Sequence, residues 1–84
     1  MSEQAVRVNA FAEIEDSKIC YFKKNGVWYL YLPHCGVGNL SGHQVVEHED
    51  GTITVAPSIL LCGHNHGQPM TRHGFIERGI WRDA

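Results

Sequence analysis

The stretch KICYFKKNGVWYLYL, residues 18–32, decides the fold. Its two runs, Lys18 to Lys23 and Val27 to Leu32, are rich in β-branched and aromatic side chains. Between them stands Asn25-Gly26, a dipeptide that readily takes positive φ at two successive positions. Together they predict a tight antiparallel hairpin. Working outward, HQVVEHEDGTITVAPSI (residues 43–59) predicts a second hairpin with Asp50-Gly51 at its turn. Ile53 and Val55 alternate there with Thr52 and Thr54, and Pro57 ends the strand. GFIERGIW (residues 74–81) predicts a third, turning at Arg78-Gly79 and returning Ile80 and Trp81 to the core. Residues 5–14 alternate more loosely and suggest an additional strand. No window of eleven residues carries a helical period, so at most one helical turn is expected. The chain reads as a mainly β, small antiparallel domain of three hairpins.

Length and charge narrow the function. A chain of 84 residues is a single domain, residues 1–84, that buries only about 60 to 65% of the surface of its unfolded form. Eight aromatic residues must then supply much of the core. Seven Lys and Arg against nine Asp and Glu give a formal charge of −2, and no basic cluster exceeds Lys23-Lys24. Nucleic-acid binding draws on a basic face and is disfavoured. The acids fall mainly in two short groups, Glu13, Glu15, Asp16 and Glu47, Glu49, Asp50, which read as solvated turns. The N-terminus lacks the basic and apolar regions of a signal peptide, and no apolar run approaches the roughly 18 residues of a membrane span. A cytoplasmic protein with no membrane partner is expected, its three cysteines (Cys20, Cys35, Cys62) reduced.

Two glycine-rich bends separate the hairpins, PHCGVGNLSGH (residues 33–43) and CGHNHGQP (residues 62–69). They carry Cys35 and Cys62 with His34, His43, His64 and His66. Glycine beside cysteine lets backbone amides turn toward a thiolate, as in zinc knuckles, and His73 opens the last hairpin. Such a site would pin three hairpins together. Neither bend has the Cys-x-x-Cys pair of a ribbon signature, so Cys35 and Cys62 read equally well as small buried hydrophobes with the histidines decorating loops. Cys20, between Ile19 and Tyr21, reads as a packed thiol. His43 and His48 read as ordinary hairpin-face residues.

In order, HCGVGNL, EDGTITVAPSI, a cysteine and HGFIERGIW resemble a family of short proteins encoded in prophages and in bacterial ubiquitin-like modification operons. That family carries Cys-Gly-Cys-Gly, an acidic-Gly-Thr strand ending in Pro-Ser-Ile, a later Cys, and a His-aromatic-aromatic-Ile hairpin ending in Trp. The resemblance covers about residues 30–82 and implies a zinc-ribbon-like fold. It implies Cys35, Cys62 and His73 as Zn2+ ligands, and Pro57, Ser58, Ile59, Ile76 and Trp81 as framework. The family's second Cys is Val37 here, so the fourth ligand must come from His34, His64 or His66, or from water, unless the site has been lost. His66 is favoured because it stands four residues from Cys62 across a glycine-containing loop. His34 is disfavoured, since neighbours in extended chain point to opposite faces.

No complete catalytic set is visible. His64-x-His66 on a strand would present two imidazoles to an open metal with Glu47 or Glu49 as base, a small metal-dependent hydrolase. A thiol dyad of Cys35 with His64 or His66 lacks an orienting group. A nucleic-acid-binding zinc ribbon would use Arg72, Arg78 and Arg82. The reading that fits best is a metal-stapled β module that binds another protein. The resemblance suggests a phage accessory or anti-defence protein that occupies a host protein's surface.

Overall fold

The computed structural model describes residues 2–84. They form nine strands and one short 3₁₀ turn: β1 (Ser2–Gln4), β2 (Val6–Arg7), the turn Phe11–Glu13, β3 (Cys20–Lys24), β4 (Val27–Leu32), β5 (Gly36–Asn39), β6 (Gln44–Glu47), β7 (Ile53–Asn65), β8 (Gln68–Glu77) and β9 (Ile80–Asp83). A five-stranded sheet has the order β1-β9-β8-β7-β6, and a four-stranded sheet the order β2-β3-β4-β5. All neighbours are antiparallel except β2 and β3. The mainly β architecture expected from the hairpin signals is therefore the one observed.

The turn chemistry explains the registers. Asn25 (φ 52) and Gly26 (φ 80) hold both central positions of the β3–β4 turn, and Arg78 (φ 47) and Gly79 (φ 78) those of β8–β9. Positive φ at two successive residues matches the right-handed twist of the flanking strands. The β6–β7 turn is longer than expected. His48 N–H donates to the Thr52 carbonyl (2.8 Å), and Gly51 N–H to the His48 carbonyl (3.0 Å). Glu49 and Asp50 thus make the turn, and Gly51 (φ 88) follows as a glycine bulge.

Three sequence expectations are corrected. Pro57 does not end its strand. β7 runs through it because the register against β8 shifts between Val55 and Ile59, and a proline with no N–H to give is accommodated in that irregularity. Neither glycine-rich segment is a loose bend: residues 33–43 hold β5, paired with β4, and CGHNHGQP is the end of the β7–β8 hairpin, with His66 (φ 52) and Gly67 (φ 80) at its tip. Residues 5–14 contain only the two-residue β2 and the 3₁₀ turn, while the edge strand lies earlier, at β1.

The core lies between the sheets. Ile53, Val55, Ile59, Ile76 and Trp81 of one sheet meet Tyr21, Leu30, Leu32 and Trp28 of the other. Trp81 is fully buried as expected. Ile80, its neighbour, points to the opposite face and is half-buried, as strand alternation requires. Cys20 is a packed thiol in a second, smaller cluster with Val8 and Phe22, on the far side of the four-stranded sheet. Phe11 caps that cluster edge-on to Phe22, with ring centroids 4.6 Å apart.

Candidate functional site

β7 and β8 are the longest strands, and their distal halves, from Ile59 to the tip and back to His73, have no third strand beside them. This two-stranded arm has two unlike faces. Ile59, Leu61, Gly63 and Asn65 alternate toward the second sheet and are buried or half-buried, whereas Leu60, Cys62 and His64 are exposed. Across the ladder, Leu60 is opposite His73, Cys62 opposite Thr71 and His64 opposite Pro69.

The inner face is set by contact with the β4–β5 turn. Cys35 N–H donates to the Leu32 carbonyl (2.9 Å), closing a turn with Pro33 and His34 (φ 69) at its centre. Proline presets the first of these positions, and the second requires positive φ. The His34 carbonyl then accepts the backbone N–H of His64 at 3.0 Å. The approach is close enough that a Cβ on Gly63 would collide with the His34 carbonyl oxygen and lie 2.6 Å from the Cys35 Cα.

These contacts place the residues singled out from sequence. The Cys35 thiol lies on the inner side, 3.7 Å from the Leu61 carbonyl. Burial pushes its pKa up, Arg72 opposes that, and the nearby Cys62 adds to it. Cys62 is exposed and accepts a weak bond from the Thr71 hydroxyl at 3.8 Å. His73 Nε2 lies 2.8 Å from Ser58 Oγ, and His66 sits in the tip turn.

Zinc ligands lie about 2.0 to 2.3 Å from the ion, so four of them must come within about 4 Å of one another. At about 3.3 Å per residue, Cys62 stands roughly 10 Å along the arm from Asn65, the last strand residue before His66. Cys62 and His73 share the outer face, and Cys35 is on the other. These residues do not fit a closed tetrahedral site in this arrangement. Among the described residues no group of three or more His, Cys, Asp or Glu side chains is placed to hold a metal ion.

Nor are the alternative sets brought together. His66, in a left-handed turn conformation, does not share a strand face with His64. Glu47 is paired with Ile53 and Glu49 lies in the adjoining turn, so both stand at the other end of β7 from His64, in a molecule 39 Å long. Each of the three arginines has acidic company. Arg72 contacts Asp83 (3.4 Å) and covers the Trp81 ring (5.4 Å), and Arg82 lies 3.7 Å from Glu77. Arg78 lines a depression of about 510 Å³ with Glu47, His48, Glu49 and Asp50. No basic face results.

His43 and His48, just outside the two ends of β6, each turn one ring nitrogen to β7, His43 Nε2 at 3.1 Å from the Ser58 carbonyl and His48 Nε2 at 2.7 Å from Thr54 Oγ1. A second depression, about 330 Å³, lies between the β3–β4 turn and the segment after β5, lined by Trp28, Leu40, His43 and Val45 among others. No helix among the described residues is long and apolar enough to cross a membrane.

A feature that sequence reading missed is the outer face of the five-stranded sheet. Val46, Leu60 and Phe75 are 52, 61 and 44% exposed there, beside half-buried Ile80. The signal was present in Ile59-Leu60-Leu61: within a continuous apolar run on a strand, the middle residue must face away from its neighbours. Comparison with protein families, with curated proteins and with solved structures found no match.

Proposed function

We propose that this chain is a small β module that binds another protein through the outer face of its five-stranded sheet. The observation that carries this reading is the pair Leu60 and Phe75, large apolar side chains that are diagonal neighbours across β7 and β8 and are left to solvent, with Val46 exposed further along the same face. On the four-stranded sheet the segment from Val8 to Ile14 lies over Phe22 and Cys20, and the exposed Val6, Phe11 and Val37 on that layer are each less exposed than Leu60. Desolvating aromatic and aliphatic side chains at the centre of a contact supplies most of the affinity of a typical interface. The near-neutral charge and the arginines matched by acids favour a protein partner over nucleic acid. Of the phage accessory roles that the sequence resemblance implies, occupation of a host protein's surface requires only such a face and no catalytic group.

The test is photo-cross-linking in the producing cell, with a benzophenone side chain replacing Leu60 and, as a control, exposed Val37 on the other sheet. A discrete heterologous adduct from position 60 alone, abolished by Phe75→Ser with the circular dichroism unchanged, is the expected result. Equal adducts from both positions, or an adduct that survives Phe75→Ser, overturn the assignment.

A further inference from the structure

Zinc ribbons join two glycine-rich bends through a shared ion. In this chain the same two bends already meet, backbone against backbone. His34, held at φ 69 in its turn, aims its carbonyl at the N–H of His64, and Gly63 lies flat against His34 and Cys35. The Leu61 side chain, two residues earlier, reaches across to Gly38 of β5.

We infer that the chain ties its two bends together by this seam of main chain and needs no metal ion to do so. The side chains a metal would require are otherwise engaged. The Cys35 thiol sits against Leu61, Cys62 accepts from Thr71, and His73 pairs with Ser58. The His66 backbone holds the tip turn of the arm at a φ of 52, beyond the end of the strand that carries Cys62. A metal would have to bring Cys35, on the inner side of the arm, together with Cys62 and His73 of the outer face to complete its coordination. The inference is independent of which protein the outer face binds, so failure of the cross-linking experiment leaves it standing.

It is tested on the full chain, made without a histidine tag, by elemental analysis and by thermal melts with and without EDTA. Zinc well below one per chain and coincident melts are expected. Cys62→Ser and His66→Ala should leave the melting midpoint near that of the wild type. Gly63→Ala, which leaves all four side chains in place, should lower the midpoint or abolish the transition. Zinc near one per chain, or a midpoint that falls on chelation, overturns the inference, as does a Gly63→Ala protein that melts like the wild type.

Discussion

Gly63→Ala gives the sharpest test of how the arm is held. Gly63 does not have positive φ, so its backbone is open to any residue. Alanine at such a position ordinarily stabilises by about 0.4 to 1 kcal/mol, because it restricts the unfolded chain. Here the sign should reverse. The new Cβ would overlap the His34 carbonyl oxygen and stand 2.6 Å from the Cys35 Cα, and both obstacles are main chain that cannot rotate aside. Carbon atoms rest about 3.5 to 4.0 Å apart, so β7 and the β4–β5 turn must separate by about 1 Å or more. That stretches the 3.0 Å bond from His64 N–H to the His34 carbonyl beyond useful length.

Overpacking costs about 1 to 3 kcal/mol, and the lost hydrogen bond about 0.5 to 1.5 kcal/mol. Set against the gain in the unfolded state, the net loss is about 0.5 to 4 kcal/mol, centred on about 2 kcal/mol. For a domain of this size each kcal/mol moves the midpoint by about 4 to 8 °C, so the central value corresponds to a fall in Tm of roughly 8 to 16 °C in calorimetry. Gly42→Ala is the control. It has nothing within 4 Å of the added Cβ and no positive φ, and it should melt at or slightly above the wild-type temperature. A Gly63→Ala midpoint equal to that of Gly42→Ala refutes the reasoning.

Three further outcomes are expected. Asp83 accepts the Trp81 indole N–H at 2.8 Å and lies 3.4 Å from Arg72, and these bonds, the indole first, hold its carboxyl below the usual carboxylate range. A depressed folded-state pKa contributes stability above the unfolded value, about 3.9, and that contribution is lost as pH falls through the folded value. Asp83→Asn should therefore flatten the acid limb of a plot of denaturation midpoint against pH below about pH 5, and an unchanged limb would count against it. At the arm's tip, Gly67 (φ 80) has open space around it, so Gly67→Ala should cost only the left-handed strain of about 1 to 2 kcal/mol in urea unfolding. His66→Asn should be neutral or slightly stabilising, because asparagine takes positive φ readily.

The hairpins at Asn25-Gly26 and Arg78-Gly79 were legible because glycine after a residue tolerant of positive φ leaves a short, local signature. The hairpin at His66-Gly67 uses the same geometry, yet its flanks, Cys62 to Asn65 and Gln68 to Met70, lack the β-branched residues by which strands are recognised. Pro57 read as a terminator because nothing in the sequence marks the register irregularity that accommodates it. The spacing of cysteine and histidine alone left the metal reading open, and the resemblance supplied Cys35, Cys62 and His73 as its ligands. Face decides proximity in a sheet, and the face of Cys35 relative to Cys62 depends on a contact between segments nearly thirty residues apart in sequence. The apolar outer face failed to register for the same reason: Leu60 and Phe75 become diagonal neighbours only through the β7–β8 register, and Val46 joins their face only through strand order.

The first strands have a mechanical consequence. β1 belongs to one sheet and β2 to the other, with only buried Ala5 between them, its N–H bonded to the Gly79 carbonyl, and Val6 N–H to that of Ile19. That link couples the two layers near Gly79, while the contact of His34 with Gly63 and His64 couples them again along the β7–β8 arm. A sandwich fastened at separate places cannot breathe open like a book to admit a guest between its leaves. Whatever this chain engages must meet it from outside, so recognition there would show fast association with little rearrangement of the core.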